Sequence, residues 1–214
     1  MRGLKEHIQQ DIIVPKIEVT KYIRHYGYCS YCQKVFYPKV DDELLCSYIG
    51  PTAKAFAVYL KYKIKVSDRD MADLFCRMFD LSLDPSSISG FRDQLSRAAL
   101  PLYSELLGDL RKSLYVNANE TGWKLDGVNY WLWKFANKKV SITHIDRSRG
   151  SKVLFRKITF GNRSPKGIAN HSILQSIIQT ARLNNIYCYK ILKEVLSGKD
   201  MERKRLLHSI CSPS

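Results

Sequence analysis

The sequence predicts an α+β protein: a short N-terminal β-ribbon, a helical middle, a three-stranded antiparallel meander and C-terminal helices. Three observations predict it. Cys29 and Cys32 lie inside a stretch that alternates in the manner of strands. From Ala53 to Leu102 apolar residues recur at helical spacing. After residue 113 the period becomes that of strands, and an Asp126-Gly127 dipeptide divides two of them.

Taken in order, Lys16-Ile17-Glu18-Val19-Thr20 leads into YIRHYGYCSYCQKVFYP, a ribbon whose turn carries both cysteines. DDELLCSYIGP reads as a linker, and Gly50-Pro51 opens a helix, because Pro suits the first helical position. Ala53, Phe56, Ala57 and Leu60 follow. Met71, Leu74, Phe75, Met78 and Phe79 form an apolar stripe, with Ser67 and Asp68 as natural caps. After a break at 80–83, Asp84-Pro85 starts another helix with Ile88, Phe91, Leu95, Ala98 and Leu102 on its stripe. Pro101 is expected to kink or split that helix.

LYVNANE reads as a strand, WKL-DG-VNYWLWKF as a hairpin and VSITHI as a third strand, giving a meander over 114–145. Residues 146–167 are basic and aperiodic. Leu174, Ile177, Ile178 and Ala181 mark one final helix, and Cys188, Ile191, Leu192, Val195 and Leu196 another. The polar tail after Gly198 is expected to fray. The partition that follows is 1–46, 47–112, 113–160 and 161–214.

The 214 residues carry 35 Lys plus Arg against 20 Asp plus Glu, a formal charge of +15. Such an excess favours polyanions, nucleic acid foremost. No apolar run approaches the ~18–20 residues of a membrane span, and MRGLKEHIQQDIIV does not suit a signal peptide. The expected location is cytoplasmic, with no membrane partner.

Four candidate sites follow. The first is a helix–turn–helix over 67–98, whose second helix opens with small polar residues; Arg69, Ser86, Ser87, Ser89, Arg92, Gln94 and Arg97 lie off the apolar stripe and suit contact with DNA. An ordinary helical hairpin is the equal alternative. The second is zinc at Cys29 and Cys32. A structural site wants four ligands, and His25 and Cys46 fit no standard spacing, so two plain thiols are the favoured reading. The third is Asn119-Glu120-Thr121, where nucleases of the ribonuclease-H type carry a carboxylate for Mg²⁺. An amide oxygen can touch a metal but brings no charge, and although Glu120 and Asp126 are close in sequence, neighbouring strand residues face opposite sides, so neither is expected to bind metal. The fourth is the set Trp123, Tyr130, Trp131, Trp133 and Phe135, which reads as core rather than a base-stacking platform.

NETGWKLDGVNYWLWKFANKKVSITHIDRSRGSKVL resembles the start of the catalytic domain in transposases of the insertion-sequence 66 family: an acidic triplet, Gly-Trp, a hairpin, Trp-x-Trp and Ser-Arg-Gly. KIEVTKYIRHYGYCSYCQKV resembles the second half of that family's zinc-binding ribbon, and IGPTAKAFAVYLKYKIKVSDRDMADLF its helical linker. FGNRSPKGIANHSILQSIIQTARLNNIYCYKILKEVL resembles its closing segment.

The resemblance implies an incomplete ribonuclease-H-like domain behind half a zinc ribbon. It puts the family's first catalytic Asp at Asn119, with Glu120 beside it. The stretch bearing the second Asp and the Glu is missing between Ser148-Arg149-Gly150 and the closing segment, and with it a packing partner for the meander. The partner cysteine pair of the ribbon is absent as well. The expectation is a DNA-binding transposase relative that has lost catalysis and does not hold the family's Mg²⁺. Its partners would be element terminal repeats, non-specific DNA, or an intact transposase in mixed complexes. The alternatives are an active Mg²⁺-dependent transposase and a decayed, non-functional product.

Overall fold

The computed structural model describes residues 10, 17–23, 25–38, 43–44, 47–125, 127–150, 166–199 and 201–211. The alternating stretch around the cysteines folds into a small antiparallel ribbon, β1 (Gly27–Cys29) and β2 (Lys34–Phe36). Four residues turn between them, with Gln33 at positive φ. Cys29 closes β1 and Cys32 lies in the turn.

Pro51 does open a helix, α1 (Pro51–Tyr59), which runs into a π-helical turn at Leu60–Ile64 and stops where Lys65 adopts φ +74°. Next comes α2 (Asp68–Phe79). Ser67 caps it, its Oγ accepting from the Asp70 amide at 3.1 Å, a contact of the kind that contributes about 1 kcal/mol. Met71 and Phe75 are buried, Leu74 and Phe79 half-buried, and Met78 is exposed at the rim of the stripe.

The long helix α3 (Pro85–Arg111) is the spine of the protein. Ile88, Phe91, Leu95, Ala99, Leu102, Leu106 and Leu110 are buried at steps of three and four. Ala99 rather than Ala98 holds the stripe, because the 3.6-residue period carries Ala98 round to solvent. Pro101 does not split the helix. It sits on the exposed face, where the amide it lacks leaves the carbonyl four residues back open to water.

The meander is as expected in topology: β3 (Asn117–Leu125), β4 (Val128–Ala136) and β5 (Ser141–Asp146), antiparallel in the order β3-β4-β5. β3 begins at Asn117 rather than Leu114. Gly127 takes φ +77° in the tight turn, a conformation costly for any side chain. Asp126 and most of the basic stretch 146–167 lie outside the described residues.

Three helices close the chain: α4 (Lys166–Leu183), α5 (Cys188–Ser197) and α6 (Met201–Cys211). The expected fraying after Gly198 gives way to α6. Its first amides, those of Glu202 and Arg203, donate to Glu194 Oε2 at 2.7 and 3.4 Å. Arg203 pairs with Glu105 of α3, and Leu206 is fully buried.

One core cluster draws in α1, α3, β4, β5, α4, α5 and α6, through residues such as Val58, Leu102, Phe135, Ile142, Ile177 and Ile191. A second, smaller cluster joins α1, α2 and the start of α3 through Leu60, Met71, Phe75, Ile88 and Phe91. The sheet therefore does have a packing partner. Ser176 and Thr180 on α4, with Asn184 just past its end, stand at i, i+4, i+8 and serve the outer side of β5 and the turn before it. The Thr180 hydroxyl accepts from the Ser141 amide and donates to the Ser141 carbonyl, both at 3.1 Å. Ser176 Oγ accepts from the Thr143 amide at 2.8 Å. Asn184 Nδ2 donates to the Lys139 carbonyl at 2.7 Å. The match is geometric: four helical residues rise about 6 Å and two strand residues about 6.6 Å.

Candidate nucleic-acid interface

Helical periodicity puts the small polar start of α3 in solvent: Ser86, Ser87 and Ser89 are all exposed. Arg69 on α2 and Arg97 on α3 are exposed too. Two other predicted contact residues, half-buried Arg92 and exposed Gln94, are engaged by side chains of the protein itself. Arg92 Nη2 reaches Asp68 Oδ2 at 3.0 Å, and Lys61 Nζ reaches Asp68 Oδ1 at 2.8 Å, tying the π turn, α2 and α3 together. Gln94 Oε1 accepts from Lys54 Nζ at 2.5 Å. Lys54 is almost wholly buried, its head 5.4 Å from the Phe91 ring centroid, and burial lowers its pKa. Gln94 gives that buried ammonium a partner.

The meander gathers a second set on one sheet face. Register places Glu120 opposite Trp133 and Trp133 opposite His144, with Trp131 and Asp146 one step along. Arg149 lies over the Trp131 ring at 4.7 Å and its Nε donates to Glu120 Oε1 at 3.2 Å. Trp133 Nε1 donates to the Ser148 carbonyl at 3.2 Å, and the Ser148 amide donates to Asp146 Oδ1 at 2.9 Å. His144 Nε2 stands 3.5 Å from Asp146 Oδ2. The Trp-x-Trp strand thus holds the Ser-Arg-Gly segment in place. His144, Asp146 and Arg149 escaped the sequence reading; the two-residue alternation of β5, followed by a charged run, was the available signal.

Asn119 is exposed on the opposite face, one residue from Glu120 but pointing away from it. The two therefore do not present oxygens to one ion, and Glu120 already holds a guanidinium. Among the described residues no group of three His, Cys, Asp or Glu is placed to hold a metal ion. These residues do not fit a pair of Mg²⁺ ions.

At the ribbon, the Cys29 thiol is held below its ordinary pKa, first by the backbone N–H of Cys32, then by the Cys32 side chain and the Tyr31 amide. That favours a thiolate, as a metal ligand requires. Cys46, the more distant cysteine of this region, lies outside the described residues. Of the aromatic set, Tyr130, Trp133 and Phe135 are buried, while Trp123 and Trp131 are half-buried.

Residues 46–162, more than half of the chain, match the family model described as Transposase IS66 family. The chain belongs to the IS66 transposase family. That match covers α1 to β5 and stops short of both the ribbon and the C-terminal helices. Membership points to DNA transposition and to interaction with DNA. No curated protein and no solved structure matches the chain. Among the described residues no helix is long and apolar enough to cross a membrane.

Proposed function

We propose that this IS66-family chain binds DNA and does not cut it. The observation that carries the second half is the state of the family's first acid position. Asn119 stands there without charge, and its neighbour Glu120 faces the other side of β3, engaged by Arg149. Phosphoryl transfer by two metals needs clustered carboxylates to hold the ions against attacking and leaving oxygens. Asn119 and Glu120 supply no such cluster.

The first half rests on family membership and on the +15 charge. We assign DNA contact to α2 and α3 acting as a helix–turn–helix-like pair. Arg69, Ser86, Ser87 and Arg97 are its outward residues, while Arg92 ties α3 to α2 through Asp68 and Gln94 ties α3 to α1 through Lys54. Cys29 and Cys32 act as two thiols of a small ribbon rather than as a complete zinc site.

The test is binding of the purified protein to terminal-repeat duplex from a related intact element and to a scrambled duplex, across a salt series. A preference of tenfold or more for the repeats, about 1.4 kcal/mol, is expected at moderate salt. Arg69→Ala and Arg97→Ala should each flatten the salt slope by about one. Equal binding to both duplexes, with slopes unmoved by either variant, would remove the helix pair from the interface.

A further inference from the structure

Alternation along β3 puts Asn119, Thr121, Trp123 and Leu125 on one sheet face. That face is open at Asn119 and becomes covered toward Trp123, where the start of α4 crosses it. Between α4, the π turn and α3 it leaves a cleft of about 520 Å³, within the usual size of a small-molecule site. Its walls are of two kinds. Trp123, Tyr62 and His171 form an aromatic group, with His171 4.8 Å from Trp123 and 5.4 Å from Tyr62 between ring centroids. Lys61, Lys65 and Arg92 supply positive charge.

The cations are not equivalent. Lys61 and Arg92 share the Asp68 carboxylate. Lys65 has no carboxylate partner among the described residues, and it sits at the exposed end of the π turn. Burial, with Lys65 close by, holds His171 down to a pKa of about 4, so the ring is neutral at ordinary pH. An aromatic wall under an unneutralised cation suits a flat base attached to a phosphate.

We propose that this cleft holds one nucleotide of an unpaired DNA strand, its base against Trp123 and its phosphate at Lys65. The inference rests on the DNA-binding reading and sharpens it by naming a strand form and a place. A duplex lying along α2 and α3 would deliver a frayed or tailed end to the cleft. Trp123 is two strand steps, about 13 Å, from Asn119 on the same face. The cleft would therefore hold the strand beside the family's first acid position.

Fluorescence anisotropy with labelled dT12, a 12-base-pair duplex and rU12, with dTMP as competitor, tests this at one moderate salt concentration. The variants are Trp123→Leu and Lys65→Gly; Gly suits the positive φ of residue 65, so the second keeps the turn. The expected result is dT12 binding weakened at least tenfold by Trp123→Leu and threefold or more by Lys65→Gly, with duplex binding held within twofold. Unchanged dT12 binding in Lys65→Gly and Trp123→Leu overturns the proposal. So does a loss of dT12 binding no greater than the loss of duplex binding. Competition by dTMP at micromolar concentration would make this a free-nucleotide site, and tenfold tighter rU12 binding an RNA site; either overturns the assignment. Wild-type protein that binds duplex but not dT12 sinks the cleft alone, whereas binding to neither sinks the DNA-binding reading as well.

Discussion

β5 and β3 are the two outer strands of one sheet, yet they are treated differently. Residues 141–145 of β5 are buried without exception. On β3, Asn117, Ala118, Asn119, Thr121 and Gly122 are all exposed. The outer side of β5 meets two helix side chains, Ser176 and Thr180, that donate and accept as a neighbouring strand would. Among the described residues no strand pairs with the outer side of β3. An unpaired strand edge is a liability in a buried setting, and α4 removes that liability on the side where the core lies. The other side stays in water, where unpaired groups cost little, and carries the Asn119 position.

The protection of β5 is most vulnerable at the hydroxyl row of Ser176 and Thr180. Thr180→Val keeps the shape of the side chain while stripping the buried Ser141 amide and carbonyl of their partner. It should cost about 2–4 kcal/mol, and adding Ser176→Ala should cost about 1–3 kcal/mol more. Denaturant unfolding measures both. A double variant within 1 kcal/mol of wild type would mean that water serves the β5 edge equally well.

A second, smaller effect lies at the junction where α4 leaves β5 and crosses β3. His171 titrates at about 4 in the fold, below the 6.5 of an unfolded histidine, chiefly through burial. The unfolded chain therefore takes up the proton first. Stability contributed by this site is complete above pH 6.5 and is lost as pH falls toward 4, by roughly 2–3 kcal/mol after allowing for partial exposure. His171→Phe should flatten that part of the stability–pH curve. Identical curves for the variant and wild type would place His171 in contact with solvent.

The smallest effect is expected at the open edge. The Arg149–Glu120 pair is largely exposed on the arginine side, so Arg149→Ala should cost less than about 1 kcal/mol. A larger loss would show that β3 depends on this contact as β5 depends on its helix.

Much of the fold was legible in the sequence because it is written in local period. The α3 stripe, the Ser67 cap and the hairpin at Gly127 each involve residues within a turn or two of one another. The features that escaped are those whose partners are distant in the chain. The helix after Gly198 opens on the charged run Glu202-Arg203-Lys204-Arg205 and has a short apolar face that needs distant partners; Glu194 from the preceding helix caps it, Glu105 from α3 anchors Arg203 and the main core takes Leu206. The Ser176-Thr180-Asn184 row has clear i, i+4 spacing, yet its role needs β5 beside it. The same holds for the candidate site. Strand alternation alone separates Asn119 from Glu120, whereas the engagement of Arg92 and Gln94 depends on Asp68 and Lys54, which are 24 and 40 residues away.

The most direct test of a DNA-binding, non-cutting IS66-family protein is a nicking assay. Supercoiled plasmid carrying the terminal repeats is incubated with excess protein in Mg²⁺ and in Mn²⁺, and the same samples are run with and without deproteinisation. The expected result is retarded DNA that returns to fully supercoiled once protein is removed, with no difference between metal and EDTA. Open-circular or linear product that requires Mg²⁺ or Mn²⁺ would contradict the account, and loss of that product in Glu120→Gln would locate the error at β3.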